Sequence, residues 1–149
     1  MLHHTACGGL AAAGFGVLFN IGFRTLPWCA VSGALALAVR TVAFQSGASL
    51  VAASFVAALA VGAAAQMLQS RIGVPSNALA VVGCIPMIPG AVAARAILGL
   101  FVVTAQPATA SGDAFFAALE NALRVGFTIG ALGTGVAIPT LLMRARWTT

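Results

Sequence analysis

The residues best suited to bind a small solute lie around an interrupted helix at residues 85–90, Ile-Pro-Met-Ile-Pro-Gly. Pro86 and Pro89 lack a backbone N–H and crowd the preceding turn, and Gly90 permits almost any backbone angle, so a helix must break here. The segments on both sides are apolar, which predicts that the break lies at membrane depth. Unwound backbone is tolerated there only where protein covers it or a watery cavity faces it. Transporters commonly build a substrate site at such a break.

Arg95 follows within the second half of this helix. A guanidinium can bind a carboxylate through two parallel N–H donors, and a buried cation at this depth needs a partner or water. Two roles stay open for Arg95: an ion pair with a partner subunit, or binding of a substrate carboxylate. The predicted substrate-binding residues are Pro86, Met87, Pro89, Gly90 and Arg95.

Four other polar residues of predicted helices are candidates for helix packing or gating. Asn20 is expected to hydrogen-bond a neighbouring helix. Arg40 can reach the headgroups, pair with a helix end or have a functional role, and these alternatives stay open. Glu120 and Arg124 are four apart on one helix face and are expected to pair at the interface, with a proton relay as the alternative.

The sequence does not indicate an enzyme active site or a metal site. The predicted spans lack a His/Asp/Glu cluster or a paired nucleophile and base. Cys7, Cys29 and Cys84 have no C-x-x-C spacing, and we interpret them as small apolar residues of helix interfaces. His3 and His4 stand at a terminus. We therefore expect no catalytic residue, no metal site and no cofactor.

The composition fixes the class of protein. Of the 149 residues, 61% are hydrophobic and 6% are charged, with a mean hydropathy of +1.08. Soluble domains carry roughly a quarter charged residues, so most of this surface must face lipid or other subunits. The net charge of +5 comes from arginines scattered singly, which form no basic stripe for nucleic acid. We predict an all-α integral membrane protein.

The apolar runs predict about five transmembrane helices in a single transmembrane domain covering residues 1–149. The fourth is the broken one, and Gly126-x-x-x-Gly130 is expected to give the fifth a close-packing face. The predicted helices are residues 5–23, 28–44, 49–67, 77–106 with the break at 85–90, and 114–143.

The loop arginines predict the orientation. If the chain has five spans, four loop arginines lie on one side of the membrane, which should be the cytoplasm. The loops on the opposite side contain no Lys or Arg. The N-terminus is therefore expected in the periplasm and the C-terminus in the cytoplasm of a bacterial inner membrane. The four arginines are Arg24, Arg71, Arg144 and Arg146.

Two ordered patches resemble the threonine/serine exporter family, in the small five-helix form that corresponds to the C-terminal half of the full-length exporters. The second patch is the 85–90 motif. The first patch contains Gly14-Phe15, Phe19-Asn20, Arg24-x-Leu26-x-Trp28-Cys29-Ala30, Gly33 and Arg40.

The resemblance implies export of small amino acids such as threonine and serine, or of a C4-dicarboxylate such as succinate in split-subunit members. It also implies an ion gradient as driving force and a larger multi-span membrane subunit as partner. The chain departs from the family pattern in two ways. Arg95 stands where an uncharged residue is expected, next to Ala94, where an aromatic residue is expected. The first span also begins closer to the N-terminus than the family pattern implies. The first departure leaves the substrate open, and the second leaves open whether the true start lies upstream.

The alternative function is a structural or assembly subunit of a larger membrane complex, in which the broken helix is simply buried against a partner. Five spans are few for a complete alternating-access transporter, which usually pairs two repeats. Association is therefore expected in either case, with the larger subunit or as a homo-oligomer within the lipid bilayer.

Overall fold

The computed structural model describes residues 2–72, 76–105 and 112–147. These residues form helices and connecting turns without a strand, which confirms the all-α prediction. The α-helices are α1 (Leu2–Leu18), α2 (Leu26–Gln45), α3 (Leu50–Ile72), α4 (Ser76–Cys84), α5 (Gly90–Ala105) and α6 (Gly112–Trp147). Short 3-10 turns precede α2 at Phe23–Thr25 and follow α4 at Ile85–Met87.

Within the described residues, three helices are long and apolar enough to cross a membrane: Phe23–Gln45, Leu50–Gln69 and Gly112–Met143. The pair formed by α4 with its 3-10 turn and α5 passes the same test as one broken span, which raises the number to four. The apolar part of α1, Thr5–Leu18, is shorter than a usual span. A multi-pass membrane protein follows, and the count of five stays a prediction.

The first helix ends earlier than predicted, at Leu18 rather than near residue 23. Asn20 adopts a left-handed backbone with φ of +55°. Its N–H bonds the carbonyl of Val17 at 2.9 Å, and the N–H of Ile21 bonds the carbonyl of Gly16 at 2.9 Å. These two bonds form a Schellman C-cap, in which asparagine tolerates the left-handed position better than most residues. Placing Asn20 inside the span was therefore wrong, and its side chain is exposed.

The chain forms two compact units, and each is described by itself. The first comprises Met1–Met87 and Ala131–Thr149, and the second is Ile88–Gly130. In the first unit, α1 to α4 and the later part of α6 enclose a core made mainly of alanine and other small side chains. Cys29 and Cys84 are buried in it, as predicted, whereas Cys7 is exposed.

Glycines bring the helices of the first unit into close contact. A Cβ added to Gly33 of α2 would lie 2.7 Å from the carbonyl oxygen of Gly8 and would also meet Ala12 of α1. A Cβ added to Gly135 of α6 would lie 2.9 Å from the carbonyl oxygen of Phe55 on α3. Small residues allow such backbone approach, which is the usual basis of helix association in lipid.

The predicted close-packing face at Gly126 and Gly130 of α6 stays a prediction. A Cβ added to Gly126 or Gly130 would meet nothing within 4 Å among the described residues, whereas Gly135 packs against α3. A G-x-x-x-G pattern shows that a face is smooth, but it does not show that a neighbour within the chain covers it. In the second unit, the close approach is made by Gly99, where a Cβ would lie 2.8 Å from that of Ala118.

Most hydroxyl groups in the spans are satisfied within their own helix. Each donates to the carbonyl four residues earlier, so its polarity is hidden from neighbouring helices and from lipid. The donors and acceptors are Thr41 to Leu37 (2.6 Å), Ser54 to Leu50 (2.8 Å), Thr104 to Leu100 (2.9 Å), Thr128 to Arg124 (2.7 Å) and Thr140 to Val136 (2.9 Å).

Candidate functional site

The predicted helix break is confirmed at residues 85–90. The α-helical conformation stops at Cys84, the 3-10 turn covers Ile85–Met87, and helix resumes at Gly90. Pro89 supplies the carbonyl that starts α5, because it accepts from the N–H groups of Val92 at 3.1 Å and Ala93 at 3.0 Å. A proline just before a helix is well placed for this, since it has no N–H to be satisfied.

Protein covers the first half of the break. The 3-10 turn packs against α1 and α2, and the side chain of Met87 is 0% exposed within the core of the first unit. Unwound backbone in a membrane protein requires such cover or a watery cavity, because lipid offers no hydrogen-bond partner. This part of the break is therefore a packed structural element of the first unit.

Arg40 makes a direct contact with the break. Its Nη1 donates to the carbonyl oxygen of Met87 at 3.0 Å, and the side chain is half-buried. In a continuous helix this carbonyl would accept from the N–H four residues later, but here α5 has already begun anew at Gly90. Arg40 thus pairs with a helix end, one of the roles that the sequence left open, and it supplies the donor that the interrupted helix lacks.

Arg40 has no acidic residue in its own unit. The two acidic residues of the chain, Asp113 and Glu120, both lie in the second unit. Glu120 is paired with Arg124 at 3.4 Å, which confirms the predicted ion pair, and both side chains are more than half exposed. Such a pair on an exposed helix face contributes only about 0.3–0.5 kcal/mol. The first unit therefore contains no Asp or Glu to neutralise Arg40.

Arg95 is the sixth residue of α5 and is exposed. The described residues offer it no ion pair or hydrogen bond to its guanidinium. Of the five predicted substrate-binding residues, Pro86 and Met87 belong to the first unit, and Pro89, Gly90 and Arg95 belong to the second. Their joint role in one binding site stays a prediction.

One polar contact near the break was missed from the sequence. Ser32 of α2 is buried, and its Oγ donates to the carbonyl of Cys29 at 2.8 Å, with the carbonyl of Leu79 on α4 at 3.4 Å. A Cβ added to Gly83 would lie 2.8 Å from that Oγ. The Ser32-Gly33 pair inside an apolar run is the signal that could have indicated this contact. It ties α4 to α2 at Leu79, within about two helical turns of the break.

Among the residues that the structure describes, no group of three or more His, Cys, Asp or Glu could hold a metal ion.

A comparison with protein families gives a match to residues 4–142 by a family model described as Threonine/Serine exporter, ThrE. No solved structure matches the chain.

Proposed function

The chain belongs to the threonine/serine exporter family, and we propose on this premise that it is a subunit of an inner-membrane exporter of small amino acids such as threonine and serine. The observation that carries the proposal is the family match over residues 4–142 of a chain built almost wholly of apolar helices. The family indicates a transporter rather than an enzyme.

The finer points of the proposal are the substrate, the energy source and the partner. A C4-dicarboxylate such as succinate is the alternative substrate, and an ion gradient is the proposed driving force. The chain offers three or four candidate spans besides α1 among the described residues, and alternating access usually pairs two repeats. We therefore propose that it acts with a larger multi-span subunit. The arginine distribution supports a periplasmic N-terminus and a cytoplasmic C-terminus.

A structural or assembly subunit is the second candidate. The observation that favours it is the complete burial of Met87 and the bond from Arg40, because a break that is covered and hydrogen-bonded can serve packing alone. If the chain is a transport subunit, solute should not pass through a complex that lacks it. If the chain serves assembly alone, solute should still pass.

Efflux from proteoliposomes separates these candidates. Vesicles loaded with threonine, serine or succinate should release the exported solute only when both this chain and the larger subunit are present and an ion gradient is imposed. The controls are vesicles with either subunit alone and vesicles without protein. Equal efflux with the larger subunit alone would assign this chain to assembly, and release of succinate without threonine would reassign the substrate.

Arg95 is expected to contact a carboxylate of the larger subunit. Its exposure on α5 without an acidic partner among the described residues favours this role over substrate binding. Arg95→Glu should reduce co-purification of the two subunits by about tenfold or more, since like charges replace an ion pair. Arg124→Glu, on an exposed face of α6 in the same unit, is the matched control and should change it much less. An intact Arg95→Glu complex with weakened solute affinity would instead assign Arg95 to the substrate site.

A further inference from the structure

The guanidinium of Arg40 is half-buried in a unit that contains no Asp or Glu. It lies on α2, which ends at Gln45, and its side chain contacts the helix break. A long cationic side chain near a helix end commonly reaches for the headgroups, whereas the one contact shown for Arg40 is the carbonyl of Met87. A backbone carbonyl is a neutral acceptor, so the bond to Met87 satisfies a donor without offsetting the positive charge. Its own unit contains no Asp or Glu, so no acidic residue of that unit competes with an anionic ligand for Arg40.

The guanidinium also keeps donor capacity. It has five N–H donors, and the described residues show one hydrogen bond, from Nη1 to Met87. That single bond anchors one Nη to the break, and the other N–H groups are shown with no acceptor among the described residues. Two parallel N–H groups match a carboxylate in geometry as well as in charge.

We propose that Arg40 binds the carboxylate of the exported solute, and that the carbonyl of Met87 positions its guanidinium for this. The inference rests on the proposed export function and names a recognition residue for it: the solute must carry a carboxylate, as an α-amino acid does. Arg40 is suited to the role because it is hydrogen-bonded to Met87, at the point where the helix is interrupted. A carboxylate bound to the guanidinium is therefore linked to the broken helix through Arg40 itself.

Equilibrium binding of radiolabelled threonine to the two-subunit complex tests the assignment, with unlabelled threonine amide as a competitor that lacks the carboxylate. The wild-type complex should strongly prefer threonine over threonine amide. Arg40→Gln should lower threonine affinity by about tenfold or more and abolish that preference, because a charge-assisted contact to the carboxylate is lost. Arg40→Lys keeps the charge and a donor for Met87 but loses the two parallel N–H groups. Its threonine affinity and its preference for threonine over threonine amide should therefore lie between those of the wild type and Arg40→Gln.

Arg24→Gln is the matched control, because Arg24 is an exposed arginine of the same unit in the turn before α2. It should leave both the affinity and the preference unchanged. Monodispersity on size-exclusion chromatography checks that each variant complex is intact. If Arg40→Gln does not assemble, the preference ratio of Arg40→Lys decides, since that variant retains the contact to the break.

Three results would overturn the inference. Unchanged preference in an intact Arg40→Gln complex would show that the carboxylate binds elsewhere. Equal losses of affinity for threonine and threonine amide would leave Arg40 a purely structural role at the break. Loss of the complex in both Arg40 variants would indicate an ion pair with the partner subunit. A wild-type complex that binds neither threonine nor succinate would instead contradict the proposed export function. Failure of the export function and failure of the Arg40 assignment therefore give different results.

Discussion

Gly33→Leu is expected to cause a large loss of stability in the first unit. The added side chain would have to occupy the contact between α1 and α2, where even a Cβ would come within 2.7 Å of the Gly8 carbonyl oxygen. Overpacking commonly costs about 1–3 kcal/mol, and here the obstacle is backbone, which cannot rotate away. The helices must separate, so the midpoint temperature of unfolding in detergent and the yield of monodisperse protein should both fall sharply.

Gly14→Leu is the matched control on α1. A Cβ at Gly14 would meet nothing within 4 Å among the described residues, so the new side chain has space. Replacing a helical glycine also recovers up to about 1 kcal/mol of helix propensity, which opposes any loss. The control should therefore have an unchanged or slightly raised unfolding temperature. Equal losses in both variants would show that α1 and α2 do not pack closely at Gly33.

Simultaneous replacement of Pro86, Pro89 and Gly90 by alanine is expected to remove nearly all efflux while leaving expression largely intact. The three substitutions allow α4 and α5 to join as one helix, in which the Met87 carbonyl returns to the backbone ladder and Arg40 loses its acceptor. A continuous helix is locally stable, because alanine is the best helix former and the proline penalty of about 3 kcal/mol disappears. Transport should suffer because the interrupted backbone and the oriented guanidinium are lost together.

Pro27→Ala is the matched control for this variant. Pro27 lies in the first turn of α2, where a backbone N–H has no acceptor within the helix and proline is well tolerated. Its replacement should therefore change neither efflux nor expression by much. Efflux per molecule in proteoliposomes and the amount of protein in the membrane are the two measurements. If the triple variant loses both in equal measure, the break serves stability alone and the assembly role gains support.

The features predicted correctly from the sequence are those set by local chemistry. Pro86, Pro89 and Gly90 within six residues favour a break whatever the surroundings, and Glu120 and Arg124 meet because they are four residues apart on one helix. Asn20 was misplaced because hydropathy continues to Phe23 and hides the end of α1. The asparagine itself, a residue that tolerates the left-handed conformation, was the signal for that end.

The features that could not be predicted depend on packing between distant segments. Arg40 and Met87 are 47 positions apart, and no spacing rule brings them together. The same holds for Gly135, whose neighbour on α3 is fixed by how the helices cross rather than by its own sequence context. Where two helices meet is a property of complementary surfaces, and an Ala/Gly-rich chain offers many surfaces that look alike.

The separation of Arg40 from Met87 also has a consequence for biogenesis. The hydroxyl groups of the spans find their acceptors within one turn, so those groups are satisfied as soon as each helix forms. Arg40 must wait until another 47 residues have been translated, which takes about 2–10 seconds at ribosomal rates of roughly 5–20 residues per second. During that interval α2 carries an unpaired guanidinium into the translocon. Its release into lipid is therefore expected to be delayed until the helix break emerges, which would make insertion of α2 and α4 a coupled event.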